Sequence, residues 1–181
     1  MHLPRLMSLF LCGVIIWLSF DDHFFRYRYC EEVKHLMDLP RAGIYITNAE
    51  PWLTTVTGTT RFLNEHLAKE ETFLALPSEE LYYFLTDKES PTRQQELGIR
   101  ITREQEKDMI AAMGTKKVKY VLMSNRIRSP DVGLGPFGVD YGRLLADYIN
   151  RNYTTVAVAG DWDKDPGWFN NHAVKIMERI Q

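Results

Sequence analysis

A strand that is apolar at every position has to be covered on both faces, and the segment Lys116–Asn125 holds such a run. Tyr120, Val121, Leu122 and Met123 are consecutive, so neither side of an extended chain there is polar. A sheet sandwiched between helices buries both faces, as in parallel α/β proteins. The rest of the chain supplies partners of both kinds. Thr72–Leu76 is a short apolar run closed by Pro77, Gly43–Thr47 alternates around Ile44, Tyr45 and Ile46, and Thr154–Ala159 reads as another buried strand. Val174–Ile180 reads as a final strand that pairs antiparallel at an edge. Between these runs the period changes to that of a helix. Trp52, Val56, Thr59, Leu63 and Leu67 share a face after a start at Asn48 and Pro51. Met109, Ile110 and Met113 share one between a Thr102–Gln105 capping box and a stop at Gly114. Leu144, Leu145, Tyr148 and Ile149 share a third, after Asp140. The expected fold is a small three-layer α/β domain, with a mostly parallel sheet of four to five strands and flanking helices.

The 181 residues, 45% hydrophobic and 25% charged, suit one globular domain with a short additional segment. That segment is residues 1–37, and the domain is residues 38–181. Leu6–Phe20 is uncharged and apolar, though shorter than the roughly 20 residues of a full membrane span. Adding Leu3 and Pro4, with Arg5 snorkelling, extends it. A cleaved signal peptide and a buried core helix compete with a membrane helix; no small-x-small cleavage site follows the run. Phe24, Phe25, Tyr27 and Tyr29 then suit an aromatic belt at a lipid surface, or a helix packed on the domain. The two cysteines, Cys12 and Cys30, are expected as free thiols, because Cys12 lies within the apolar run. A net charge of −2 without a basic block gives no footprint for nucleic acid.

The segment Glu71–Arg93 is the most distinctive in the chain. After Pro77, Ser78 is placed to cap a helix with Glu79 and Glu80 in its first turn. Leu81, Phe84 and Leu85 form its apolar face, and Ser90-Pro91 ends it. A strand ending in Pro, then acidic residues, then Tyr83-Phe-Leu-Thr86 and Pro91-Thr-Arg93, resembles the C-terminal extracytoplasmic domain of bacterial polyprenyl-phosphate-sugar-dependent glycosyltransferases. These are the integral membrane enzymes of glycosyltransferase family 39, of the protein mannosyltransferase and aminoarabinose transferase type. Leu39–Ile46, Val118–Leu122 and Tyr148–Gly160 fit the same pattern in order, and Asp87-Lys88 departs from it where such domains often carry Gly-Arg.

The resemblance covers residues 36 to 180 and implies a membrane helix at the N-terminus, with the domain outside the bacterial cytoplasmic (inner) membrane. It implies the lipid bilayer as a partner, together with the membrane-embedded part of a glycosyltransferase and its polyprenyl-phosphate sugar. In that family the catalytic acid lies in an early loop among many membrane helices. The expected role is therefore a non-catalytic structural or partner-binding domain, as a fragment or a split subunit. The alternative is an independent membrane-anchored periplasmic α/β binding module. Glu79, Glu80, Tyr82 and Arg93 are the candidate surface residues of the motif, Arg93 alternatively fixing its own loop. Asn125 and Arg126 join them because they begin a glycine-rich loop, Arg126–Gly138, at the end of a central strand, where open α/β sheets place ligand crevices.

Other spellings of chemistry fail on their context. Asp161, Asp163 and Asp165 begin a calcium-loop pattern, but Pro166 and His172 stand where glycine and glutamate are required. An Asp-x-Asp nucleotide-sugar site needs a larger domain around it. Gly133-x-Gly135-x-x-Gly138 contains Pro136 and begins well beyond its strand. No histidine has an i, i+4 partner, and Ser124 and Ser129 lack a nucleophile elbow. Asn152-Tyr-Thr154 spells a glycosylation acceptor that carries little meaning in a bacterial chain. No catalytic residue, metal ligand or cofactor is expected.

Overall fold

A computed structural model of the protein describes residues 7–8, 10–17, 35–39, 41–46, 50–94, 97, 101–127, 135–164 and 172–180. In chain order these form a helical stretch over residues 7–8 and 10–17 (α1), strands β1 (His35–Leu39) and β2 (Ala42–Ile46), helix α2 (Glu50–His66), β3 (Phe73–Leu76), α3 (Leu81–Thr86), α4 (Arg103–Thr115), β4 (Tyr120–Ser124), α5 (Arg143–Asn152), β5 (Tyr153–Ala159) and β6 (Val174–Arg179). The chain divides into two compact units, Met1–Leu36 with Ile44–Asn48, and Met37–Gly43 with Ala49–Gln181. The expected cap Asn48, the aromatic belt, Cys30, Gly133, Ser129 and Asp165 lie outside the described residues.

The sheet of four has the order β3-β4-β6-β5. β3 runs parallel to β4, with Phe73 opposite Tyr120 and Leu76 opposite Met123. β6 runs antiparallel to β4, with Leu122 opposite Ile176, and β5 antiparallel to β6. The fold is mixed α/β, and the expectation of a mostly parallel sheet is corrected: one of its pairings is parallel. β6 follows β5 with no helix or strand between them among the described residues, and sheet neighbours joined without a crossover helix pair antiparallel. β6 is therefore central rather than the expected edge. Thr154–Ala159 is the edge, with Val156 and Val158 43% and 48% exposed, rather than a buried strand.

Alternate residues divide the core. Leu74, Leu76, Val121 and Met177 meet Met109 and Met113 of α4 and Leu145 and Ile149 of α5. On the other face, Phe73 stacks on Tyr83 of α3 at 4.7 Å, and Tyr120 meets Phe62 of α2 edge-on at 5.5 Å. Helices thus cover both faces, as the apolar run of β4 requires. α2 keeps the expected face, with Val56, Thr59 and Leu63 buried.

The Tyr83 hydroxyl accepts a hydrogen bond of 3.0 Å from the amide of Ala75. That amide points away from β4, so the phenol occupies the outer edge of β3.

Several termini differ from expectation. α3 begins at Leu81 with Glu80 as N-cap and no side-chain cap, so Ser78 does not cap it. It ends at Asp87, whose φ of 55° and ψ of 43° are left-handed, before Ser90-Pro91 is reached. The capping box of Thr102 and Gln105 on α4 is present as expected. Gly114 lies inside α4, and the stop is made by Lys117 at φ 49°. The amides of Lys117 and Val118 donate to the carbonyls of Gly114 and Met113, a Schellman turn with lysine in the glycine position. α5 starts after Gly142 at φ 65°, not at Asp140, and the Leu145 amide in its first turn donates to the buried Glu106 carboxylate of α4 at 2.8 Å. β1 ends at Leu39, which precedes Pro40, a position that favours extended backbone.

The N-terminal apolar run is helical where it is described, and Cys12 is an exposed free thiol. Among the described residues no helix is long and apolar enough to cross a membrane, which leaves the expected spanning helix unsupported.

Candidate functional site

Because β3 and β4 are parallel, their C-terminal ends lie at the same end of the sheet. β6 is antiparallel to β4 and starts there, Val174 opposite Ser124. Three chain segments therefore converge at one point: Glu79 just after β3, Arg126 just after β4, and His172 just before β6. The Glu79 carboxyl is 3% exposed and His172 is 2% exposed. Arg126 Nε lies 3.3 Å from Glu79 Oε1, an ion pair without hydrogen-bond alignment. Arg126 Nη2 lies 3.3 Å from His172 Nε2, which is 3.8 Å from Glu79 Oε2. Ser124 hydrogen-bonds Glu79, and its hydroxyl accepts the Arg126 amide at 3.0 Å.

Burial pushes the Glu79 carboxyl up to about 7; the Arg126 charge and the Ser124 hydroxyl oppose the shift, and the neighbouring Glu80 charge adds to it. The proton of Glu79 is thus exchangeable near neutrality, in a dry setting, next to a guanidinium and an imidazole. Such a group holds or releases a proton as its surroundings change charge.

The backbone under the cluster is pinned. Asn125 exchanges backbone and side-chain hydrogen bonds with Ala173, its amide donating to the carbonyl at 3.1 Å and its Oδ1 accepting the Ala173 amide at 2.7 Å. Its Nδ2 donates to the Trp162 carbonyl at 3.4 Å. The Thr55 hydroxyl of α2 donates to the His172 carbonyl at 3.0 Å. Two depressions open beside the cluster. One of about 500 Å³ is bordered by Pro51, Thr54, Thr55, Gly160, Asp161, Lys164 and His172. The other, about 260 Å³, is bordered by Met123, Ser124, Asn125, Arg126, Pro136, Phe137, Trp162 and Lys164. The second lies where the sequence places a crevice, at the start and end of the Asn125–Gly138 loop.

Of the expected site residues, Glu79, Asn125 and Arg126 come together. Glu80 is half-buried beside Glu79. Tyr82 is fully buried between Thr59 of α2 and the Glu79–Arg126 pair; burial first, and then the Glu79 charge, push its phenol up. Arg93 is exposed on a separate depression with Gln94, Asp108 and Lys116, away from the cluster. His172 was missed by sequence spacing, because its partners lie across the sheet rather than one helical turn away. No group of three or more His, Cys, Asp or Glu able to hold a metal occurs among the described residues. Asp161 instead pairs with Lys164 at 3.3 Å. No family model, curated protein or solved structure matches the chain.

Proposed function

We propose that this chain is the terminal helix and extracytoplasmic α/β domain of a membrane glycosyltransferase-like protein that uses a polyprenyl-phosphate sugar, and that the domain is a non-catalytic partner- or acceptor-binding module. The resemblance of Glu71–Arg93 motivates the reading. The observation that carries it is α1. Met7, Phe10, Leu11, Ile15, Ile16 and Trp17 are each more than half exposed, and a 100° spacing distributes them around the whole helix. A helix apolar on all sides is built for lipid or for other apolar helices. On this reading the bilayer of the inner membrane, and the membrane-embedded part of the transferase, are its surroundings.

The crevice beside Arg126 favours a second reading, an independent membrane-anchored periplasmic binding module, in which the same site takes a ligand of its own. Cell fractionation of the full chain and of a version beginning at Asp38 tests the membrane placement common to both. The expected result is a full chain resistant to carbonate extraction and cleavable by protease from the periplasmic side, with a soluble shorter form. A full chain that is soluble in the cytoplasm overturns both readings. Sugar turnover from a polyprenyl-phosphate donor by the isolated chain would overturn the non-catalytic role.

A further inference from the structure

We propose that the crevice bordered by Ser124, Asn125, Arg126, Phe137, Trp162 and Lys164 binds a small organic anion with a ring-sized body, and that Arg126 meets its charge. The proposal takes the crevice named above and adds the chemistry of its occupant; it does not depend on membrane attachment. At about 260 Å³ the space falls just under the ~300–1,000 Å³ of sites for drug-sized molecules, so it fits one ring and a charged group. Its described lining has two cations, Arg126 and Lys164, and no carboxylate, while Met123, Pro136, Phe137 and Trp162 supply apolar wall.

The wall is held before any ligand arrives. The Lys175 ammonium sits 3.9 Å from the Trp162 ring centroid, and the Trp162 carbonyl accepts from Asn125. Arg126 is fixed from behind by Glu79 and His172, yet its side chain is 23% exposed. A planar guanidinium that is partly exposed suits a carboxylate or a phosphoryl group.

The buried partner gives the site a distinctive behaviour. Glu79 is faced by Arg126 and Ser124 from the end of β4, by His172 from the segment before β6, and by Glu80 and Tyr82 from its own segment. An anion on Arg126 takes over the charge that opposes Glu79 protonation. The Glu79 carboxylate then takes one proton from solvent, and no other bond is made or broken. Anion binding is therefore coupled to proton uptake and weakens as the pH rises through neutrality.

Calorimetric titration of the full chain with benzoate, phenyl phosphate and the neutral benzyl alcohol tests this from about pH 6 to about pH 8.5. At least one anion is expected to saturate a single site, about tenfold or more tighter than benzyl alcohol, with affinity falling as pH rises. Benzoate alone would define a carboxylate site, phenyl phosphate alone a phosphoryl site, and both a general organic-anion site. Glu79→Gln is expected to flatten the pH dependence and to bind about threefold or more tighter than the parent at the high-pH end. Lys164→Ala, at a 69% exposed side chain, is expected to weaken binding about threefold without disturbing the fold. No saturable anion binding, equal binding of benzyl alcohol, or affinity unchanged in Lys164→Ala overturns the proposal. Failed titration with a membrane-bound chain removes this proposal alone, and successful titration with a soluble chain removes only the membrane readings.

Discussion

Burial and charge pull in opposite directions at Glu79, and burial wins. The carboxyl binds its proton more tightly folded, at about 7, than unfolded, at 4.5. Its contribution to stability is whole below the unfolded value and is lost as the pH rises through the folded one. Urea unfolding is expected to show a loss of about 2 kcal/mol from about pH 5.5 to about pH 8.5. Glu79→Gln, which carries no such proton, is expected to remove that slope; an unchanged slope would place its origin elsewhere. The sequence made Glu79 and Arg126 visible as polar residues directly after apolar strands. It left their pairing invisible, because that depends on β3 and β4 being parallel neighbours. Tyr82, expected at a surface, is buried beside Glu79 and Arg126. On a helix as short as α3, the choice between crevice and core turns on the helix start, which falls at Leu81 rather than Glu79.

At the level of elements, local chemistry was legible where the side chain itself makes the cap. Thr102 and Gln105 are such a case. It was not legible where a non-glycine residue takes a left-handed conformation, since lysine does not announce it and aspartate, though enriched there, does so only weakly. Lys117 and Asp87 are both such residues. Lys117→Gly is expected to raise stability by about 0.5–1 kcal/mol, because glycine adopts that conformation without a Cβ penalty. A lower melting temperature would count against the Schellman assignment. Nor could a sequence show that Glu106 reaches another helix. Glu106→Ala leaves the buried Leu145 amide without its acceptor, at an expected cost of about 1–3 kcal/mol in chemical denaturation. A change near zero would mean that water replaces the carboxylate.

Across the whole molecule, the layers were readable and the strand order was not. The unbroken apolar run of β4 dictates helices on both faces whatever the direction of its neighbours. Nothing in Val174–Ile180 distinguishes a central strand from an edge until its partners are known. The two positions now have opposite tolerances. Leu122→Ala, at a fully buried position of β4, is expected to cost about 2–5 kcal/mol. Val156→Lys, on β5, is expected to stay within about 0.5 kcal/mol of the parent. A large loss at Val156 would show that β5 is covered in solution.

The phenol on the outer side of β3 also makes the sheet's two flanks unequal. On one flank the Tyr83 hydroxyl occupies the Ala75 amide that an added strand would need. On the other, Thr154–Ala159 has neither lysine nor proline to repel a newcomer, and no strand pairs with its outer side among the described residues. Lateral growth therefore has a single direction. Two copies joined along that flank would each turn a plugged flank outward, so the union closes at a pair and cannot propagate into a fibre.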